Sequence, residues 1–203
     1  MKLGKLALAP IAAAAAMAFG TPATANSLLF QGVTFETTNL GGGMLELSIL
    51  NAVSGGTGNW ANISFLRGLE FKFADPAIVT AATIAPLGNW TTTVEDGLAA
   101  NTLGCGTGGT PGACFSSSPA LALSDDMSWT FTFTGTDLNL DLPHLKVQFL
   151  NSLSDTSPAG SLLSQNIPAV PEPETYAMML AGLGLLGFVA RRRRQGLGNV
   201  VPA

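Results

Sequence analysis

The 203-residue chain is 47% apolar and only 11% charged, against about 25% charged in an ordinary soluble domain, so it holds one domain plus apolar targeting segments and little more. Residues 26–170 carry three cations (Arg67, Lys72, Lys146) against eleven acids, a formal charge of −8. That balance excludes binding to nucleic acid through its phosphates, which takes clustered Lys and Arg.

Residues 1–25 read as a secretory signal peptide. Lys2 and Lys5 form a basic start, residues 6–20 are apolar, and Ala23-Thr24-Ala25 is a small-x-small cleavage site. The apolar run is shorter than the roughly 20 residues a spanning helix needs, which favours a cleaved signal over an anchor. The expected cut follows Ala25 and leaves Asn26 as the new amino terminus. The Sec translocon and signal peptidase are the partners this implies.

Residues 26–153 read as an exported, mainly β domain: an antiparallel β-sandwich of jelly-roll or immunoglobulin-like type. The clearest strand is 127–134, where Met127, Trp129, Phe131 and Phe133 alternate with Ser128, Thr130, Thr132 and Thr134. Leu45, Leu47 and Ile49 alternate with Glu46 and Ser48 in the same way. So do Leu69, Phe71 and Phe73 with Glu70 and Lys72, and Leu145, Val147 and Phe149 with Lys146 and Gln148. Each pattern predicts one buried and one wet face. Residues 31–37, 78–84, 90–94 and 120–124 are weaker strand candidates, giving seven or eight strands in all. Turn signals separate them at 41–43, 54–59, 75–76, 86–89 and 141–143.

Cys105 and Cys114 are the only cysteines. They bracket a Gly/Pro-rich loop, and in an exported chain they are expected to form a structural disulfide. The spacing fits neither a CxxC redox motif nor a zinc site. No cofactor is expected and no metal site is assigned. Asp137-Leu138-Asn139-Leu140-Asp141 resembles the start of a calcium loop, but the sixth and twelfth positions are Leu142 and Gln148 where Gly and an acid are required. It reads as a strand or strand end with Asp137, Asn139 and Asp141 on its wet face.

Catalysis is not expected. His144 is the single histidine and no GxSxG elbow is present. The acid pairs Glu95-Asp96 and Asp125-Asp126 are adjacent in sequence, so in an extended chain they point to opposite faces. Trp60 and Trp90, beside Gly/Asn turns, are the possible ligand contacts. Aromatics so placed either stack on sugars or cap the sandwich core.

Residues 154–169, with Ser, Pro and Asn, read as a linker. The tail then runs Val170-Pro171-Glu172-Pro173, an uncharged apolar stretch 176–190, four arginines (Arg191, Arg192, Arg193, Arg194) and a cytoplasmic extension 195–203. Residues 176–190 predict one short transmembrane helix. Tyr176 sits at one interface, Gly182, Gly184 and Gly187 lie within, and the arginines snorkel at the cytoplasmic side. Ala177, Ala181 and Gly184 form a small-residue stripe that fits a docking helix, or simply the small-residue composition of such tails.

This order of parts resembles the PEP-CTERM sorting signal: a VPEP motif, a glycine-containing apolar helix and an Arg-rich end, over 170–194. The resemblance implies an exosortase as partner, with cleavage at or near the Pro-Glu-Pro element. It implies transient residence in the inner membrane and then release to the surface or matrix of a Gram-negative bacterium with an exopolysaccharide system. Such tails are also labelled ice-binding protein C-terminal domains, a label that does not establish ice binding. The function expected is a non-enzymatic surface or matrix protein associated with exopolysaccharide or biofilm. A carbohydrate-binding module is the alternative, and a secreted hydrolase the third reading.

Overall fold

The structure is a computed structural model that describes residues 25–106, 112–160, 163–170, 180–184 and 186–187. Its described residues form ten strands: β1 (Ala25–Phe30), β2 (Val33–Gly41), β3 (Met44–Leu50), β4 (Phe65–Lys72), β5 (Ile78–Ala85), β6 (Trp90–Val94), β7 (Gly112–Ala122), β8 (Asp126–Thr136), β9 (His144–Leu150) and β10 (Leu163–Asn166). They make two five-stranded antiparallel sheets. Sheet 1 has the order β1-β2-β3-β8-β5, and sheet 2 the order β10-β9-β4-β7-β6.

Alternation along β3 and β8 puts one core behind both sheets. Leu45 pairs with Phe131, Leu47 with Trp129 and Ile49 with Met127, and all six side chains are buried. Phe131 meets Phe71 and Phe115 of sheet 2 edge to face, with ring centroids 4.8 Å apart in each case. Edge-on contact places a positive ring rim against a negative ring face, so these contacts lock the two sheets in one offset. The sandwich is therefore built as the alternation predicts. The outer face of sheet 1 presents Thr34, Glu36, Thr38, Glu46, Ser48, Ser128, Thr132 and Thr134, and its five strands contain no Lys or Arg.

Several expectations are corrected. The outward side of β4 and β9 is not wet: Glu70 and Gln148 are fully buried, because the segment between β6 and β7 folds back over it. Residues 112–119 were not expected as a strand. They form the start of β7, whose first four residues are all buried, and a strand covered on both faces loses its alternation. Residues 137–143 are irregular rather than a strand, and Leu142 is exposed.

The stretch 154–169 is not a linker. Ala159 is buried, β10 pairs with β9, and Ile167 is fully buried. Its polar composition conceals this, since only Leu163 and Ile167 of residues 163–170 point inward. Among the described residues no helix is long and apolar enough to cross a membrane. Residues 180–184 and 186–187 are helical, and the rest of the expected membrane helix 176–190 lies outside the described residues, as does the signal peptide apart from Ala25.

Candidate functional site

Trp60 and Trp90 are both in the core, at 1% and 8% exposure. Trp60 packs edge-on against Phe30, Phe35 and Phe149, and Trp90 against Trp129. Of the two roles open to loop aromatics, the structure places them in core capping, and neither ring offers a face to a sugar.

Cys105 and Cys114 form a disulfide. It anchors one end of a strap, residues 95–106, laid across the outer face of sheet 2. Glu95, at φ 57, turns the chain out of β6. Leu98 then packs on Gly68, where an added Cβ would sit 2.6 Å from a Leu98 methyl and force it to shift. Beneath it, the Leu98 N–H donates to Glu70 Oε2 at 2.7 Å. Lys146 Nζ pairs with Glu70 at 2.9 Å and donates to the Leu98 carbonyl at 3.2 Å. Gln148 receives the Gly104 N–H and donates to the Ala99 and Thr102 carbonyls. Lys72 reaches Glu70 at 3.7 Å. Burial, aided by the neighbouring Lys146, holds the Lys72 ammonium below the usual lysine range. Buried polar groups need such partners. This cluster is satisfied internally and serves to fasten the strap.

His144 lies between two side chains of β10: its Nδ1 is 2.8 Å from Asn166 Oδ1, and its Nε2 is 3.0 Å from Ser164 Oγ. The connectivity is that of a nucleophile, a base and an orienting group. The register produces it directly, since Asn166 pairs with His144. Ser164 and Asn166 stand exposed on the sheet surface, where bulk water screens the fixed dipoles that stabilise a developing oxyanion in a closed site. The sequence does not reveal this grouping, because the polar composition of residues 154–169 reads as a linker.

The turn 41–43 and residues 138–141 line a cleft of about 540 Å³ with Asn39 and Asp141 at its edge. Asn39 Nδ2 donates to Asp141 Oδ1 at 2.7 Å, and the Asp141 N–H donates to Asn139 Oδ1 at 3.0 Å. Among the described residues no group of three His, Cys, Asp or Glu could hold a metal ion.

The same end of the sandwich carries the carboxyl-terminal exit. After β10 the chain leaves sheet 2 and runs against β1 of sheet 1. The Ser27 N–H donates to the Pro168 carbonyl at 3.1 Å, and the Val170 N–H to the Ala25 carbonyl at 3.0 Å. These two bonds flank an antiparallel bridge between Asn26 and Ala169. The Asn26 amide is buried and donates to the Asp141 carbonyl.

Ala23, Pro171, Glu172, Pro173, Tyr176 and the four arginines lie outside the described residues. Gly182, Gly184 and Gly187 are helical and have open space where a Cβ would stand. Leu180, Leu183 and Leu186 beside them are exposed.

No curated protein and no solved structure matches the chain. Residues 169–194 match the family described as PEP-CTERM protein-sorting motif. The match begins at the residue bridged to Asn26 and takes in the Pro-Glu-Pro element, the apolar stretch and the arginines. This chain therefore carries a PEP-CTERM protein-sorting motif at 169–194, and with it the character of an exported protein sorted by an exosortase.

Proposed function

We propose that the β domain is a non-enzymatic component of the cell surface or extracellular matrix, delivered by exosortase processing and associated with exopolysaccharide or biofilm. The observation that carries this reading is the junction at Val170, where a closed sandwich passes directly into the sorting motif. The domain is the cargo and the motif is its address. The sequence of residues 1–25 supports entry through the Sec translocon, with the inner membrane as a transient station.

Mass spectrometry of surface and culture fractions, from cells with a working exosortase, tests it. The expected product lacks the end beyond the Pro-Glu-Pro element. Recovery of full-length chain alone overturns the reading.

A carbohydrate-binding module is favoured by the cleft at Asn39, Asn139 and Asp141, whose planar amides and carboxylate suit sugar hydroxyls. On this reading the purified domain retains isolated exopolysaccharide, and Asp141→Ala loses it. A serine hydrolase would use Ser164 and His144. The non-enzymatic reading expects no labelling of Ser164 by a fluorophosphonate, and labelling abolished by His144→Ala would displace it.

A further inference from the structure

Two processing sites that are 145 residues apart in sequence meet at one corner of the fold. Ala25 is the last residue before the expected signal-peptidase cut, and Val170 is the first residue of the VPEP motif. The Asn26–Ala169 bridge consists of two hydrogen bonds, from Ser27 to Pro168 and from Val170 to Ala25. A cut between Ala25 and Asn26 deletes the acceptor of the second bond and leaves the first.

We propose that the two processing steps are coupled in order: the Ala25 carbonyl holds Val170 against the sandwich, and removal of the signal peptide frees the start of the sorting motif for the exosortase. The proposal rests on that signal cleavage and on the exosortase reading of residues 169–194. A protease that cuts beside a folded domain needs its substrate drawn away from the domain surface. A residue bonded into a sheet edge meets that need only after local opening. Losing one backbone hydrogen bond shifts the opening equilibrium by about fivefold.

The bonds that remain set where the loosening stops. Ser27 still donates to Pro168, and Ile167 still donates to the Pro143 carbonyl at 3.1 Å. Ile167 stays in the core. The freed segment therefore begins at Val170, and the mature product keeps everything up to Ala169. A cut further upstream would strip the edge of β1 and uncover Ile167, so the fold itself protects that stretch from the enzyme.

The test uses the full chain in cells with a working exosortase. One version starts natively at Asn26. A second carries Ala23→Leu behind a signal peptide with its own upstream cleavage site, so that the mature chain keeps Ala25. Pulse-chase of tail loss is expected to run about fivefold slower when Ala25 is retained, and equal rates overturn the coupling. Hydrogen exchange on the purified tail-bearing chains in detergent checks the bond itself. The Val170 amide should exchange about fivefold faster without Ala25, and equal exchange also overturns the proposal. If neither version loses its tail, the exosortase reading fails, and the exchange measurement still decides whether the tether exists.

Discussion

Lys146 Nζ lies 2.9 Å from Glu70 Oε2, on neighbouring strands of sheet 2, with Glu70 wholly out of solvent. The pair is shut in by the strap, whose Leu98 N–H and carbonyl complete the coordination of both partners. Removing one member of such a pair leaves an uncompensated charge in the interior, which costs about 3–5 kcal/mol. Lys146→Met is expected to lower the unfolding free energy, measured by urea titration, toward that range, with Lys72 at 3.7 Å from Glu70 offsetting part of the loss. Glu70→Gln removes the charge but keeps an acceptor for Leu98, and should cost less. A midpoint for Lys146→Met within experimental error of wild type would show that the strap does not seal the pair.

The strap's second fastening is covalent. Closing a loop between Cys105 and Cys114, nine residues apart, stabilises by roughly 2–3 kcal/mol in the loop-entropy account. The double variant Cys105→Ser, Cys114→Ser should therefore melt several degrees lower, and reductant should lower the wild-type Tm but leave the variant unchanged. Hydrogen exchange should quicken first at Leu98 and Gly104, whose N–H groups donate to Glu70 and Gln148.

Asp125 answers to pH. The backbone N–H groups of Ser54 and Val53 donate to its Oδ1 at 2.7 and 2.8 Å, and these bonds, that from Ser54 foremost, hold its carboxyl below the usual aspartate range. A folded-state pKa below the unfolded one means that the bonds stabilise the fold at all pH values above the unfolded pKa of about 3.9. The contribution fades as pH falls through the folded value. Stability of the wild type should drop across this acid window, with a shallower drop in Asp125→Asn, measured by thermal melts at stepped pH.

Trp60 is a test of core against ligand. Truncation of a buried aromatic costs about 3–5 kcal/mol, and Trp60 touches three other rings. Trp60→Ala should lower the denaturation midpoint accordingly, while Trp60→Phe recovers much of the loss. Polysaccharide retention at temperatures where the variants remain folded should equal wild type. A selective loss of retention in a fully folded Trp60→Phe would show that the ring is reached by ligand.

The strands that could be read from sequence are those with one face in water. In β8, Trp129, Phe131 and Phe133 announce their direction because Ser128, Thr132 and Thr134 really are exposed. The same rule misassigned Glu70 and Gln148, whose outward direction was right but whose solvent had been replaced by a strap 25 or more residues away in sequence. β10 was lost for the opposite reason: Ser164, Gln165 and Asn166 are exposed, and a four-residue strand with one inward side chain has no period to detect. In the sorting tail, short-range order was enough, since VPEP, the apolar run and the arginines are contiguous. The corner at Ala25 and Val170 is invisible in the sequence, because it arises only when the chain end crosses from one sheet to the other.

The outer face of sheet 1 has a further effect. All three cations of the domain sit in β4 and β9, on the sheet 2 side, while Glu36, Glu46 and Asp126 lie on strands of sheet 1 without a compensating charge. The domain thus carries unbalanced negative charge on the strands of sheet 1, while on sheet 2 Glu70 pairs with both lysines. Its field reaches about 8 Å into physiological saline. Two copies approaching with their hydroxyl-rich faces together repel one another, and a polyanionic layer turns that face outward.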